Sequence, residues 1–224
     1  MVLRIIINVL LWFFPWFIRR EIMIFFWRYQ ISKTARVGMS IILSKELIMH
    51  SNSYIGNFSV VRNVDKIEIG EYGNIGHLNY ITGLSTVNKK TFQHVFNRRC
   101  ELVVGGHASI TSRHFIDCNG GVYIGDFTTV AGIRSQILTH SIDLYRGRQD
   151  AAPVKIGKYC FIGTGTIILS GSILPNFCIL GAGSLLKEQF EKEYSIYAGV
   201  PARMVKDLKD TKVEYFMRKK GFVR

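Results

Sequence analysis

Aliphatic residues recur every six positions over most of this chain. From Ile156 the steps fall on Ile162, Ile168, Leu174, Leu180 and Leu186, and small residues stand four places after the first five, at Cys160, Thr166, Ser172, Cys178 and Ser184. Upstream the beat reads Ile31, Val37, Leu43, Met49, Ile55 and Val61. After a slip of two residues it resumes at Ile69 and Ile75, then returns at Val104, Ile110 and Ile116 and at Ile124 and Val130. An α-helix repeats at about 3.6 residues and a strand at about 2, so neither accounts for a beat of six. A short strand, a tight turn and another short strand do, if each strand is one flat side of a three-sided coil. The aliphatic then points inward, the small residue sits at a crowded corner, and stacked coils pair their backbones. Three sides make a coil of about 18 residues, so about seven coils are expected between residues 31 and 191. Cys160 and Cys178 should stack on one corner as small core residues.

The ends break this pattern. Ile5 to Ile18 is apolar except for Asn8 and Pro15, and Ile22 to Trp27 is a second apolar run. Both are shorter than the ~20 residues of a spanning helix, and Pro15 should break a helix here. The first Ala is Ala35, so no signal-cleavage site follows. Residues 1–30 are expected to form two short helices, with Trp12, Trp16, Trp27 and the arginines either meeting the headgroups of an anionic membrane or packing on the protein itself. Residues 31–202 form the solenoid, with inserts near 83–103 and 141–153. Residues 203–224 are a basic tail, read as a short helix with a solvated face or as a further membrane or subunit contact.

Composition sharpens three points. Gly is 21 of 224 residues with only four Pro, which excludes a collagen or a Gly/Pro linker. Nine glycines directly follow an aliphatic of the beat, so the surplus reads as a lattice of turns. The net charge of +13 is concentrated at the ends, because residues 31–202 carry 17 basic against 12 acidic residues. With only that small excess on the solenoid and no known nucleic-acid recognition module, no nucleic-acid partner is expected. The four Cys show no metal spacing.

Function should intrude where a kept repeat breaks. Residues 83–103 form a basic-aromatic insert with Lys89, Lys90, Phe92, His94, Phe96, Arg98 and Arg99. The second break starts where Gln136 replaces an aliphatic and runs to residue 153. Around it, Ile124-Gly125-Asp126, then Leu138-Thr139-His140-Ser141-Ile142-Asp143, then Pro153-Val154-Lys155-Ile156-Gly157 resembles the active-site signature of the hexapeptide-repeat acyltransferases, sugar and xenobiotic O-acetyltransferase type. Gly199-Val200-Pro201-Ala202-Arg203 is similar to the ending of that family.

The resemblance implies an all-β solenoid, a left-handed parallel β-helix, that moves an acetyl group from acetyl-CoA to a sugar hydroxyl of a surface polysaccharide or glycan precursor. It implies His140 as general base, since an alcohol is a weak nucleophile until an imidazole takes its proton. A backbone N–H would receive the developing oxyanion. Acceptor contacts would come from Asp117 or Asn119, with His114, Arg134 and Gln136 beside them. Arg146 and Arg148 either bind an acceptor phosphate or coat a loop. Gly163, Gly181, Ala182, Lys187 and Arg203 would meet acetyl-CoA. A homotrimer, with the active site between subunits, is implied, as is a cytoplasmic station on the inner face of a bacterial membrane. Two alternatives stand on the same helix: N-acetyl transfer to an amino-sugar nucleotide, and a γ-type carbonic anhydrase, for which His107, His114 and His140 would have to hold zinc. No metal is expected.

Overall fold

The computed structural model describes residues 2–88 and 90–221. Lys89 of the first insert and residues 222–224 of the basic tail lie outside the described residues. The chain winds into seven three-sided coils of parallel strands, closed by a partial eighth. The first face stacks seven strands from Gln30–Ile31 to Ile173–Leu174, and the third face seven from Ile41–Leu43 to Leu185–Leu186. The second face stacks seven from Arg36–Val37 to Ile179–Leu180, then ends in an antiparallel hairpin, Ser195–Gly199 with Ala202–Asp207. Register follows the beat: Ile31 pairs with Met49, Ile156 with Leu174 and Phe161 with Ile179. That last pairing stacks Cys160 over Cys178, both fully buried. One aliphatic core runs the length of the prism.

The six-residue beat misses in two places, both on the third face. Ile42 is the fully buried residue there, and Leu43 turns partly outward. Likewise Ile137, at 1 % exposure, fills the core where Gln136 was placed, so the fifth coil is completed before the chain departs. The slip between Val61 and Ile69 is a wider corner. Val64 fills it, and the strand Lys66–Ile69 then turns both Ile67 and Ile69 inward by strand alternation.

Glycine's role also differs from a lattice of turns. None of the nine glycines that follow the beat has positive φ. They are small because stacked coils touch: a Cβ on Gly56 would lie 2.6 Å from the Gly76 carbonyl, and one on Gly125 2.6 Å from that of Gly157. The left-handed turn positions are held instead by larger residues such as Tyr72, His107, Phe127, Tyr159, Phe177 and Tyr194. These stack ring on ring along the corner between the first and second faces, at centroid spacings of 4.6–5.4 Å. Stacking of this kind offsets the cost of left-handed backbone at non-glycine residues.

Two helices cap the open N-terminal end: α1, Val2–Leu11, and α2, Trp16–Trp27. Three of the four arginines do not reach outward as a headgroup contact requires, while Arg28 is exposed. Arg4 donates to the Ser44 carbonyl, Arg19 to Gly38 and Arg20 to Ile31, while Trp16 Nε1 donates to Ala35. Asn8 Oδ1 accepts the Ile42 N–H. They satisfy backbone groups that the first coil would leave unpaired, the edge problem of any open sheet. The C-terminal tail is not a helix as expected. Ala202–Asp207 is a strand, and the helical part is one 3₁₀ turn, Glu214–Met217, against the aromatic ladder.

Candidate active site

Both inserts leave the prism at one corner, where the third face passes to the first. Residues 83–100 depart after the strand Tyr80–Thr82, and residues 139–153 after Gln136–Ile137. Between them lies the plain turn that follows Phe115–Asp117. The second insert is an antiparallel hairpin, His140–Asp143 with Arg148–Ala151, in which His140 faces Ala151. Its turn includes Gly147 in the left-handed region.

The turn holds Asp117 at 1 % exposure, and its carboxylate is used on every side. Oδ1 accepts the Asn119 N–H at 3.0 Å and the Asn119 side-chain amide at 2.6 Å. Oδ2 accepts the backbone N–H of Thr139 at 2.9 Å and of His140 at 3.1 Å, and takes His140 Nδ1 at 2.5 Å. Burial alone would push the Asp117 carboxyl up; the His140 hydrogen bond and the backbone donors outweigh it and hold it below its ordinary value. Asp117 is thus an anion, and it fixes the imidazole with Nδ1 protonated. The lone pair is left on Nε2, which makes no hydrogen bond among the described residues. The Asp117 hydrogen bond raises the His140 pKa, against a smaller desolvation effect.

Asp117 and Asn119, the two candidates at one acceptor position, therefore belong to the imidazole's support. Asn119 Oδ1 accepts the Leu84 N–H at 2.7 Å, and its amide is 3.2 Å from His140 Nδ1. Thr139, which the sequence reading did not single out, is fully buried; its Oγ1 donates to the Asp117 carbonyl and accepts the Gly120 N–H. Phe92 of the first insert packs edge-on to His140 at 6.3 Å. Arg98 lies over the Phe92 ring and donates to the carbonyls of Leu84 and Asn119 at 2.9 Å each. The inserts meet where His94 Nε2 stands 3.6 Å from Asp150. Only the basic-aromatic composition of residues 83–103 pointed toward Phe92 and Arg98.

The remaining candidates lie elsewhere. His114 is buried at the corner between the second and third faces. Its Nδ1 accepts the Ser135 N–H, Nε2 meets Thr111 Oγ1, and burial pushes its pKa down to about 4, so it is a neutral structural residue. Arg134 and Gln136 line a shallow groove on the third face with Tyr80 and Phe115. Arg146 and Arg148 both approach Asp143 within the hairpin, at 3.6 and 3.8 Å. Gly163, Gly181 and Ala182 stack at the second-to-third corner, where a Cβ on Gly163 would meet the Ala182 backbone at 2.5 Å. Lys187 leaves the prism at the same corner as His140, two coils on, and Arg203 pairs with Glu188 at 2.7 Å. Lys187 and Arg203 thus meet through Glu188, and Ala198, the cross-strand partner of Arg203, abuts Gly181. His107, His114 and His140 occupy three different corners of the prism, so the shared zinc site of the anhydrase alternative has no geometric basis.

No family model matches the chain. Three solved structures share its architecture. One is a mutant of AntD, an N-acyltransferase from Bacillus cereus solved with dTDP-4-amino-4,6-dideoxyglucose and coenzyme A; it is 18% identical, covers 84% of this chain and 88% of its own, and has a TM-score of 0.56. The polysialic acid O-acetyltransferase OatWY is 19% identical over 80% of this chain and 84% of its own, with a TM-score of 0.53. A hexapeptide-repeat acetyltransferase from Vibrio cholerae is 20% identical over 63% and 74%, with a TM-score of 0.52. Identity at this level speaks for the fold: the chain is an all-β solenoid with the left-handed parallel β-helix architecture of the hexapeptide-repeat acetyltransferases.

Proposed function

We infer that this protein transfers an acetyl group from acetyl-CoA to a sugar hydroxyl, in a surface polysaccharide or a glycan precursor, with His140 as general base. The observation that carries the reading is the buried Asp117 carboxylate on His140 Nδ1, with Nε2 left open at the corner where both inserts depart. An alcohol attacking a thioester must lose its proton as the new C–O bond forms. Nε2 takes that proton, and the Asp117 anion stabilises the imidazolium. The carbon–sulfur bond breaks, and the same proton passes from Nε2 to the departing thiolate, which returns His140 to its starting state. The side chain is 40 % exposed, open enough for both substrates to reach it. An amino-sugar acceptor would use the same base, and the alignment to AntD keeps that acceptor in the test. The test is acceptor-dependent release of CoA thiol from acetyl-CoA across a panel of sugars, nucleotide sugars and amino-sugar nucleotides. Hydroxyl acceptors should carry the turnover. Turnover on amines alone would replace the reading by N-acetyl transfer, and none on any acceptor would remove it.

The reading extends to assembly and location: a homotrimer whose half-open site is completed by a neighbour, resting on the inner face of a bacterial membrane. No helix among the described residues is long and apolar enough to cross a membrane. The capping helices and the turn between them nonetheless leave Phe13, Phe17, Phe25 and Phe26 between 68 and 84 % exposed. With Arg4, Arg19 and Arg20 turned inward, contact with lipid would rest on these rings and on the exposed Arg28. Replacing all four Phe by Ser should abolish co-sedimentation with phosphatidylglycerol vesicles and leave the thermal midpoint within a few degrees, because none of them supports the core. Equal sedimentation of both proteins would refute the contact.

A further inference from the structure

The first insert does more than support Asn119. Between it and the first face lies a cavity of about 470 Å³, a size suited to a monosaccharide with one attached group. Its walls include Gly120, next to Asn119, and Ala151, the cross-strand partner of His140. Cross-strand partners present their side chains to the same face of a hairpin, so the cavity lies one cross-strand step from His140, which does not itself line it.

Its charge is unbalanced. Arg98, Arg99 and Lys155 line it against one acid, Glu101. Glu101 is 7 % exposed and already engaged, accepting the Tyr123 hydroxyl at 2.7 Å with Arg99 3.8 Å away. Burial and the Glu101 anion push the Tyr123 phenol up, so that hydroxyl stays a donor. Lys155 has no acidic partner among the described residues, and the Arg99 side chain is 71 % exposed. Phe96, 86 % exposed, adds an aromatic surface of the kind that packs on a sugar ring.

We propose that this cavity is a subsite for an anionic group of the acceptor, a phosphate or carboxylate carried close to the hydroxyl that is acetylated. The proposal rests on the acetyltransferase reading for the word acceptor, while the anion site rests on the cavity itself. Arg99 and Lys155 supply the charge. Arg98, pinned to Leu84 and Asn119, holds the insert in place over the same site. An anion bound there would sit beside the hairpin and leave His140 Nε2 facing the sugar. Phosphates of CoA are the other source of the same chemistry, and the test separates the two.

Saturation-transfer NMR on the full chain would compare glucose 1-phosphate with methyl α-glucoside, in the wild type and in the Arg99→Ala/Lys155→Ala double variant, with and without excess CoA. The phosphate sugar should bind the wild type in preference to the neutral one. The double variant, altered only at exposed side chains, should weaken it about tenfold or more, and CoA should leave it in place. No preference for the phosphate, unchanged binding in the variant, or displacement by CoA would each overturn the proposal. Because the readout is binding, a chain that acetylates nothing would fail the transferase reading and still report on the cavity.

Discussion

Replacing His140 with alanine should lower kcat/KM for acetyl transfer by about 10²–10⁴-fold, the usual worth of a positioned general base. The loss should fall on kcat, with the KM for acetyl-CoA little changed, since the imidazole acts on a proton that moves only during reaction. The variant should also lose some stability, because Asp117, at 1 % exposure, would keep its backbone donors but lose the imidazole, while the aliphatic core stays intact. In the wild type, activity should rise with pH as Nε2 loses its proton. The midpoint of that rise should lie above the ordinary histidine value of about 6.5, because the Asp117 hydrogen bond raises the His140 pKa. A variant with transfer within threefold of the parent would mean that the hydroxyl proton leaves by another route.

The architecture was legible in the sequence because a solenoid writes its period into every coil. What stayed hidden was local. Leu43 and Ile42 are adjacent aliphatics, and only the pleat of the strand says which one faces inward. The same one-place ambiguity hid Ile137 behind Gln136. Glycine counts marked the coils correctly but for a different reason: contact between coils limits side-chain size at Gly56 and Gly125, while aromatic stacking carries the left-handed turns of the corner between the first and second faces. Arginines near an apolar run look alike whether they meet lipid or cap a sheet. Arg4, Arg19 and Arg20 cap carbonyls whose position depends on where the first coil ends.

At the site, spacing placed Asp117 and Asn119 near His140 but could not say what they touch there. Both side chains turn toward the imidazole, because His140 and Thr139 present backbone N–H groups that a buried carboxylate must satisfy. Nothing in the repeat predicts that Arg98, 42 positions before His140, would hold the carbonyl of Asn119. Such contacts join segments whose separation in sequence carries no period, so the repeat that reveals the fold is silent about them.

Replacing Asp117 with asparagine should reduce transfer about as far as removing the imidazole, roughly 10²–10⁴-fold, through a different step. An asparagine amide at Oδ2 would donate to Nδ1 where the carboxylate accepts. The imidazole would then carry its proton on Nε2, where it cannot take one from the acceptor. The anion that stabilises the imidazolium would also be lost, so the rise of activity with pH should move to lower pH than in the wild type. A purely structural role for Asp117 would lower the rate without moving that midpoint, and an unmoved midpoint would sink the assignment. The substitution should also destabilise the corner by about 1–3 kcal/mol, since the amide would face the backbone donors of Thr139 and His140. The pair further ties folding to pH. The Asp117 pKa is depressed, so its contribution is present above the unfolded carboxylate value and fades as pH falls through the folded one. The His140 pKa is raised, so its contribution is complete below the unfolded histidine value and fades as pH rises through the folded one. The two overlap between about pH 4 and pH 6.5, the window in which wild type and Asp117→Asn should differ most in thermal midpoint, whereas their activities should differ most at higher pH, where the wild-type imidazole is neutral.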